Sequence, residues 1–335
     1  MNNILKATLI TAMFLALPVV SSATGPSIYG ADNRLDYFEV SKGMQAISKS
    51  VVSLWKHFKV VKSTITTGNY DLTTMTLGEA NNLCPGEKFI DQKKGAFCSG
   101  ALVGEDLVIT AGHCIRTDEA CADTKLVFGF KVKKAGDAGV TSIAETEVYT
   151  CSKIVKRYLA GEGEAARKAG PTLSADYALI QLDRKVIGHK PLAINRTGVI
   201  LNDTKLFVIG HPSGLPLKIA ADSKVRDASL PGYFVADLDT FGGNSGSPVF
   251  NLATTKIEGI LVRGDDDYKP TPAGCETVAT FEQSGGRGED VTRISELSAD
   301  IPLLRGEKQV EMYRDVDSST IKPAAPISIE AVSFQ

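Results

Sequence analysis

From Phe97 to Val262 the chain is written as short apolar runs: "FCSGALV", "DLVIT", "KLVFGFKV", "TEVYTC", "YALIQL", "LFVIGHP", "YFVADL", "SPVFNL" and "KIEGILV". Gly, Asp, Asn and Pro separate them. Runs of this length, rich in β-branched and aromatic residues and punctuated by turn formers, predict an all-β sandwich or barrel with few short helices. No internal repeat has a solenoid or propeller period. Two segments depart from this texture. "GEGEAARKAG" at 161–170 reads as a polar surface insertion, and "VTRISEL" at 291–297 as the start of a short C-terminal helix.

The first residues set the compartment. Lys6 precedes an apolar stretch from Ala7 to Val20, followed by Ser21, Ser22 and Ala23, the small residues a signal peptidase reads. This predicts an export signal over residues 1–23 and a secreted or periplasmic protein. The stretch is shorter than the roughly 20 apolar residues a membrane span needs, and no later segment is long enough. With 37 basic and 39 acidic residues, and no Lys/Arg block, neither nucleic acid nor an anionic membrane surface is an expected partner.

Export also changes the meaning of the six cysteines, Cys84, Cys98, Cys114, Cys121, Cys151 and Cys275, since an oxidising compartment favours disulfides. No C-x-x-C pair is present, so no metal or other cofactor is expected. Residues 24–83 show no catalytic pattern and read as a pro-segment or N-terminal extension. The main domain is then 84–306, and 307–335, mixed in charge, Ser and Pro, a poorly packed tail.

Two motifs carry chemistry. His113 lies in "ITAGHCI" at the end of an apolar run, a place where a lone histidine is more often structural than catalytic. Ser245 lies in "DTFGGNSGSPVF", a glycine-rich loop directly before an apolar run. Small residues there let the N–H groups of Gly243 and Ser245 converge on one point, where the oxyanion of a tetrahedral intermediate would form. A serine hydroxyl needs a base within reach, itself oriented by a carboxylate. All four histidines, His57, His113, His189 and His211, precede Ser245, which rules out the Ser, acid, His order of the α/β-hydrolases. The order Asp176, His211, Ser245 can be written, but His211 falls in "IGHPSG", a strand end and turn. The order His113, Asp176, Ser245 remains.

With these residues in order, the chain resembles the trypsin-like, chymotrypsin-fold serine proteases. "TAGHC" at 110–114 matches their histidine box, "DYALIQL" at 176–182 their aspartate before an apolar strand, and "GNSGSP" at 243–248 the serine box in its bacterial, glutamyl-endopeptidase-like form. The resemblance covers about residues 84 to 300. It implies two six-stranded antiparallel β-barrels with the active site between them, and a monomeric endopeptidase acting on protein or peptide substrates. His113 would be the base, Asp176 its orienting carboxylate and Ser245 the nucleophile of an acyl-enzyme mechanism. Asp183, the nearest competing carboxylate, follows the apolar strand instead of preceding it. The resemblance also pairs Cys98 with Cys114; Cys121 with Cys151 and Cys84 with Cys275 is the pairing adopted for the rest. The other function class is a catalytically silent relative that binds protein partners through the same fold.

The chain departs from the family pattern in two places. Where trypsins carry an aspartate that pairs with a new N-terminus, this chain has Asn244, and no Arg or Lys followed by an I-V-G-G-like run occurs between residues 24 and 97. Glutamyl endopeptidases use a Thr, matched by Thr240, together with a His whose place is taken by Leu261. The base of the specificity pocket in the family is the residue six before the serine, here Asp239, which implies Arg or Lys before the scissile bond. Asp237 and the run Asp265 to Asp267 could add negative charge, Arg263 could neutralise it, and Asp239 could instead end its strand in solvent.

Overall fold

The computed structural model describes residues 28–159, 174–264 and 266–307. The expected export signal, the insertion at 161–170 and the tail from 308 onward lie outside the described residues.

Six antiparallel strands close a first barrel: β1 (Val51–Lys56), β2 (Cys98–Leu102), β3 (Leu107–Thr110), β4 (Thr124–Val127), β5 (Val148–Leu159) and β6 (Asp176–Leu182). Their spatial order is β4-β5-β6-β3-β2-β1, and β1 returns to β4. A second six, β7 (Lys205–Gly210), β8 (Lys218–Asp227), β9 (Tyr233–Ala236), β10 (Pro248–Asn251), β11 (Ile257–Arg263) and β12 (Glu289–Arg293), follow the order β7-β10-β11-β12-β9-β8. Pairing of β8 with β7 closes this barrel, and the short strand Leu35–Asp36 adds to the outside of β8. This is the double-barrel architecture that the resemblance implies.

The boundary expected at residue 84 falls inside the first barrel. Val51–Lys56 pairs with β2 on one side and β4 on the other, so residues 28–83 are not a separable extension. Without β1 both neighbours would present an open edge of unpaired N–H and C=O groups, which closure removes. Ile28–Tyr29 likewise pairs with Thr280–Phe281, tying the beginning of the described chain to its last third. The C-terminal segment also differs from expectation. Val291 to Arg293 complete β12, and Ile294–Glu296 form a single 3-10 turn.

Strand β6, "DYALIQL", is buried along nearly its whole length because it packs into the first barrel's core and against the second barrel. Across β7 and β10, Phe207 and Phe250 stand opposite each other with rings stacked at 4.7 Å. Such a cross-strand aromatic pair contributes on the order of 0.5–1 kcal/mol. Three helices occur among the described residues, Lys42–Ser48, Leu77–Asn81 and Asp118–Ala122, each capped by a hydroxyl residue, Ser41, Thr76 or Thr117. No helix among the described residues is long and apolar enough to cross a membrane.

Three disulfides join Cys98 to Cys114, Cys121 to Cys151 and Cys84 to Cys275. The first spans 16 residues and ties β2 to the turn that carries His113, while the last joins positions 191 residues apart.

Candidate active site

His113 follows β3 in a turn that only a glycine could precede. A Cβ on Gly112 would lie 2.4 Å from Tyr158 O and 2.8 Å from Tyr177 O, so the turn rests directly on the backbones of β5 and β6. Asp176 opens β6 and is 1% exposed. Its Oδ2 lies 2.7 Å from His113 Nδ1, and its Oδ1 accepts the His113 backbone N–H at 3.1 Å. A carboxylate accepts only, so Nδ1 carries the proton and Nε2 keeps its lone pair. Asp176 is itself held from the second barrel: its N–H donates to Thr292 Oγ1 at 2.9 Å, and that hydroxyl donates to Asp176 O at 3.0 Å.

The other histidines are engaged elsewhere. His57 pairs with Asp123, and His189 with Glu147. His211 is buried beside Phe130, with Nδ1 2.9 Å from Leu215 O, and burial pulls its imidazolium down to about 3. Asp183, at the far end of β6 from His113, accepts the Thr150 N–H and pairs with Arg184.

Ser245 is half-buried in the loop before β10. The next residue draws that loop against the first barrel: a Cβ on Gly246 would lie 2.0 Å from Ser99 O and 2.3 Å from Thr110 Oγ1, and Thr110 is three positions before His113. Ser99 N–H donates to Ser245 O at 2.8 Å, and Cys114 Sγ lies 3.7 Å from the same oxygen. The structure therefore brings His113, Asp176 and Ser245 to one seam between the barrels.

Ser99 on β2, which carries no motif, organises the serine loop. Its Oγ accepts the His211 N–H and donates to Gly243 O, both at 3.0 Å. Ser213 N–H donates to Gly242 O at 2.5 Å. Because carbonyl and N–H point opposite ways across a trans peptide, this turns the Gly243 N–H away from the Ser213 loop. Gly243 adopts φ +89°, and a Cβ there would meet Gly214 N at 2.7 Å. Asn244 is 3% exposed, with Oδ1 accepting from Ser247 Oγ at 3.0 Å. An amide at this position makes no ion pair with an N-terminus; hydrogen bonds from the first barrel and the 211–214 loop hold the serine loop instead.

Beside Ser245 opens a cavity of about 250 Å³ lined by Thr240, Phe241, Leu261, Arg263, Asp267 and Glu289, among others. Asp239 does not line it. Asp239 is 2% exposed, its Oδ1 accepting the Tyr29 N–H at 2.8 Å and Oδ2 the Asn33 N–H at 3.2 Å. Burial pushes its carboxyl up to about 6, against the pull of those two N–H groups. The carboxylate expected at the pocket base thus holds the 28–34 segment, neither reaching the cavity nor lying in solvent. Glu289 lines the cavity in its stead: Oε2 accepts from Thr240 Oγ1 at 3.2 Å and Oε1 from the Tyr29 hydroxyl at 3.4 Å. Sequence reasoning missed Glu289, because "GEDVTR" gives no sign of which barrel face its acids occupy.

Cys98, His113 and Cys114 present ligand atoms within 4.8 Å of one another, but both sulfurs belong to a disulfide and offer no thiolate to a metal.

Residues 98–260 match the family model of the trypsin-like peptidase domain. Over that segment the chain is similar to the trypsin-like peptidases. No curated protein matches its sequence. Among solved structures, the VesB protease of Vibrio cholerae is similar at 17% identity and a TM-score of 0.46, over 81% of this chain and 66% of that one. The chain thus spans just under two thirds of that protein's length. The seam holding His113, Asp176 and Ser245 is where the two barrels meet.

Proposed function

We propose that this protein is a secreted or periplasmic serine endopeptidase that works as a monomer, its export signal removed near Ala23. Ser245 Oγ attacks the scissile carbonyl carbon as His113 Nε2 takes its proton. The tetrahedral oxyanion is received by the N–H groups of Gly243 and Ser245. His113 then returns the proton to the leaving amine, which departs as the acyl-enzyme forms on Ser245. Water, deprotonated by His113, attacks the acyl carbon, and the proton passes back to Ser245 as the acid product leaves. Asp176 fixes the tautomer and stabilises the imidazolium. Thr240 and the acidic lining of the neighbouring cavity favour Arg or Lys before the scissile bond.

The observation that carries this reading is the two-point hold of Asp176 on His113, on ring and backbone at once, beside a glycine-shaped serine loop. Such an arrangement leaves Nε2 as the only free ring nitrogen, which is what a base for Ser245 requires. A fluorophosphonate reagent tests it: the wild-type protein is labelled on Ser245, and Ser245→Ala is not. Absence of labelling in a folded wild-type protein would favour the silent, partner-binding relative.

A further inference from the structure

A second cavity, of about 370 Å³, opens where the connection after β4 passes the connection between β7 and β8. The two connections are joined there by the Leu217 N–H, which donates to Phe130 O at 2.9 Å. Phe128, Phe130, Ile143 and Leu217 give the cavity an apolar wall, and Lys49, Lys131 and Lys133 supply its cations. His113, Asp176 and Ser245 do not line it. We propose that this cavity binds a small organic anion with an apolar body and a hydrogen-bond donor at the end away from its charge.

Two groups of side chains define that ligand. The first is the lysines. Among the described residues no carboxylate comes within ion-pairing distance of any of the three. Glu147, the one acid in the lining, directs Oε2 to His189 Nε2 at 2.7 Å. Lys131 rests on the Tyr37 ring, 3.8 Å from its centre. Burial, reinforced by the charges of Lys133 and Lys49, holds the Lys131 ammonium below its usual range. A carboxylate among the three relieves that repulsion and gains charge-assisted hydrogen bonds.

The second group is the histidines. His211 is 1% exposed, and because Nδ1 donates to Leu215 O, Nε2 keeps a lone pair; that buried nitrogen has no partner. His189, its ring stacked on Phe128 at 4.4 Å, likewise has a buried Nδ1 without a partner. A buried acceptor that meets no donor costs free energy, which a ligand O–H or N–H recovers. Cations at one part of the lining, acceptors at another and hydrocarbon between them match a hydroxyaryl carboxylate in chemistry, and the volume falls in the range of small-molecule sites.

The test is calorimetric titration of the full chain with para-hydroxyphenylacetate. The wild type binds one equivalent with a dissociation constant below about 1 mM. On the same protein, para-methoxyphenylacetate, which lacks the donor, and para-hydroxyphenylethanol, which lacks the charge, each bind about 10-fold more weakly. The double variant Lys131→Gln, Lys133→Gln loses about 10-fold for the carboxylate and nothing for the alcohol, while Lys62→Gln, an exposed lysine outside the cavity, binds as the wild type does. No saturable heat, equal affinity for all three compounds, or an affinity unchanged in the double variant each overturns the assignment. The three-compound series needs only the wild type, so a poorly folded variant leaves it decisive. Every readout is binding and not hydrolysis, so the outcome is independent of the protease reading.

Discussion

In the first barrel Asp176 is the one buried charged residue among the described strand residues, whereas in the second Lys218, Asp237, Glu258, Glu289 and Asp290 are buried on or beside strands. Many of the second set find partners far away in sequence. Lys218 Nζ donates to Asp36 Oδ1 at 2.6 Å and to Gln92 Oε1 at 2.7 Å, and its burial pulls the ammonium down to about 8. Arg34, 1% exposed and paired with Asp32, lies 3.9 Å from the centre of the Phe241 ring, beneath the loop that leads to Ser245. The contrast separates two ways of positioning a group. His113 and Asp176 stand on apolar packing and backbone approach, which tolerate little displacement. The cavity is assembled from paired charges and hydroxyls, where one substitution can change which ligand is favoured without dissolving the barrel.

The division of labour can be broken most sharply at the seam. Ser245→Ala and His113→Ala should each lower kcat on the order of a million-fold, with the double variant no worse, because groups that act as one unit do not add. Additive losses in a steady-state assay would mean the two barrels contribute independently. Asp176→Asn should lower kcat roughly 10,000-fold by letting His113 take the wrong tautomer. Its ratio of Arg to Ala cleavage should stay that of the wild type; if Asp183→Asn were the damaging change, the orienting carboxylate would be misassigned.

Stability tests sharpen the same contrast. Replacing Cys98 and Cys114 by Ala opens a link across 16 residues under the histidine turn and should cost about 3 kcal/mol in the chain-entropy model, measured by urea unfolding. An unchanged midpoint would show that apolar packing alone holds that turn. His211 supplies the pH-dependent case. Its imidazole titrates near 6.5 when unfolded and at about 3 when folded, so the unfolded chain takes up a proton first as pH falls. The stability this neutral histidine contributes is therefore full above pH 6.5 and lost progressively toward pH 3, by on the order of a few kcal/mol. His211→Asn, which can still donate to Leu215 O, should flatten that slope; a slope identical to wild type would show that other groups carry it.

Ser99→Ala is expected to have the smallest effect. It strips partners from the His211 N–H and Gly243 O, costing about 1–3 kcal/mol of stability. It should lower kcat about 10-fold through a looser oxyanion loop, less than the loss of an oxyanion donor itself. A KM effect without a kcat effect would place Ser99 in substrate binding instead of positioning.

Nine of the twelve barrel strands are visible as apolar runs in the sequence. The other three fail for identifiable reasons. "KIAADSKVRD" and "EDVTR" carry charges that read as solvent-facing until Asp36, Thr240 and Arg263 arrive to satisfy them. "VVSLWK" is apolar enough, but nothing in its local pattern says it closes a barrel with partners some 45 and 70 residues downstream. Domain boundaries drawn from motif coverage miss such a strand, because β1 contributes closure and not chemistry.

His113, Asp176 and Ser245 are legible in the sequence alone because their surroundings are local: a glycine that permits close approach, an apolar strand, and a loop of small residues are each encoded within a few positions. Chain order excludes the Ser, acid, His arrangement, and the strand-end setting of His211 argues against the other rival. What only the tertiary structure decided is which acid faces the cavity. Asp239 and Glu289 are both carboxylates in β-rich stretches, and their different environments are set by Tyr29, about 210 and 260 residues away, whose N–H engages one and whose hydroxyl engages the other. Burial and charge satisfaction depend on the sum of such distant pairings, and no local pattern of residues contains that sum.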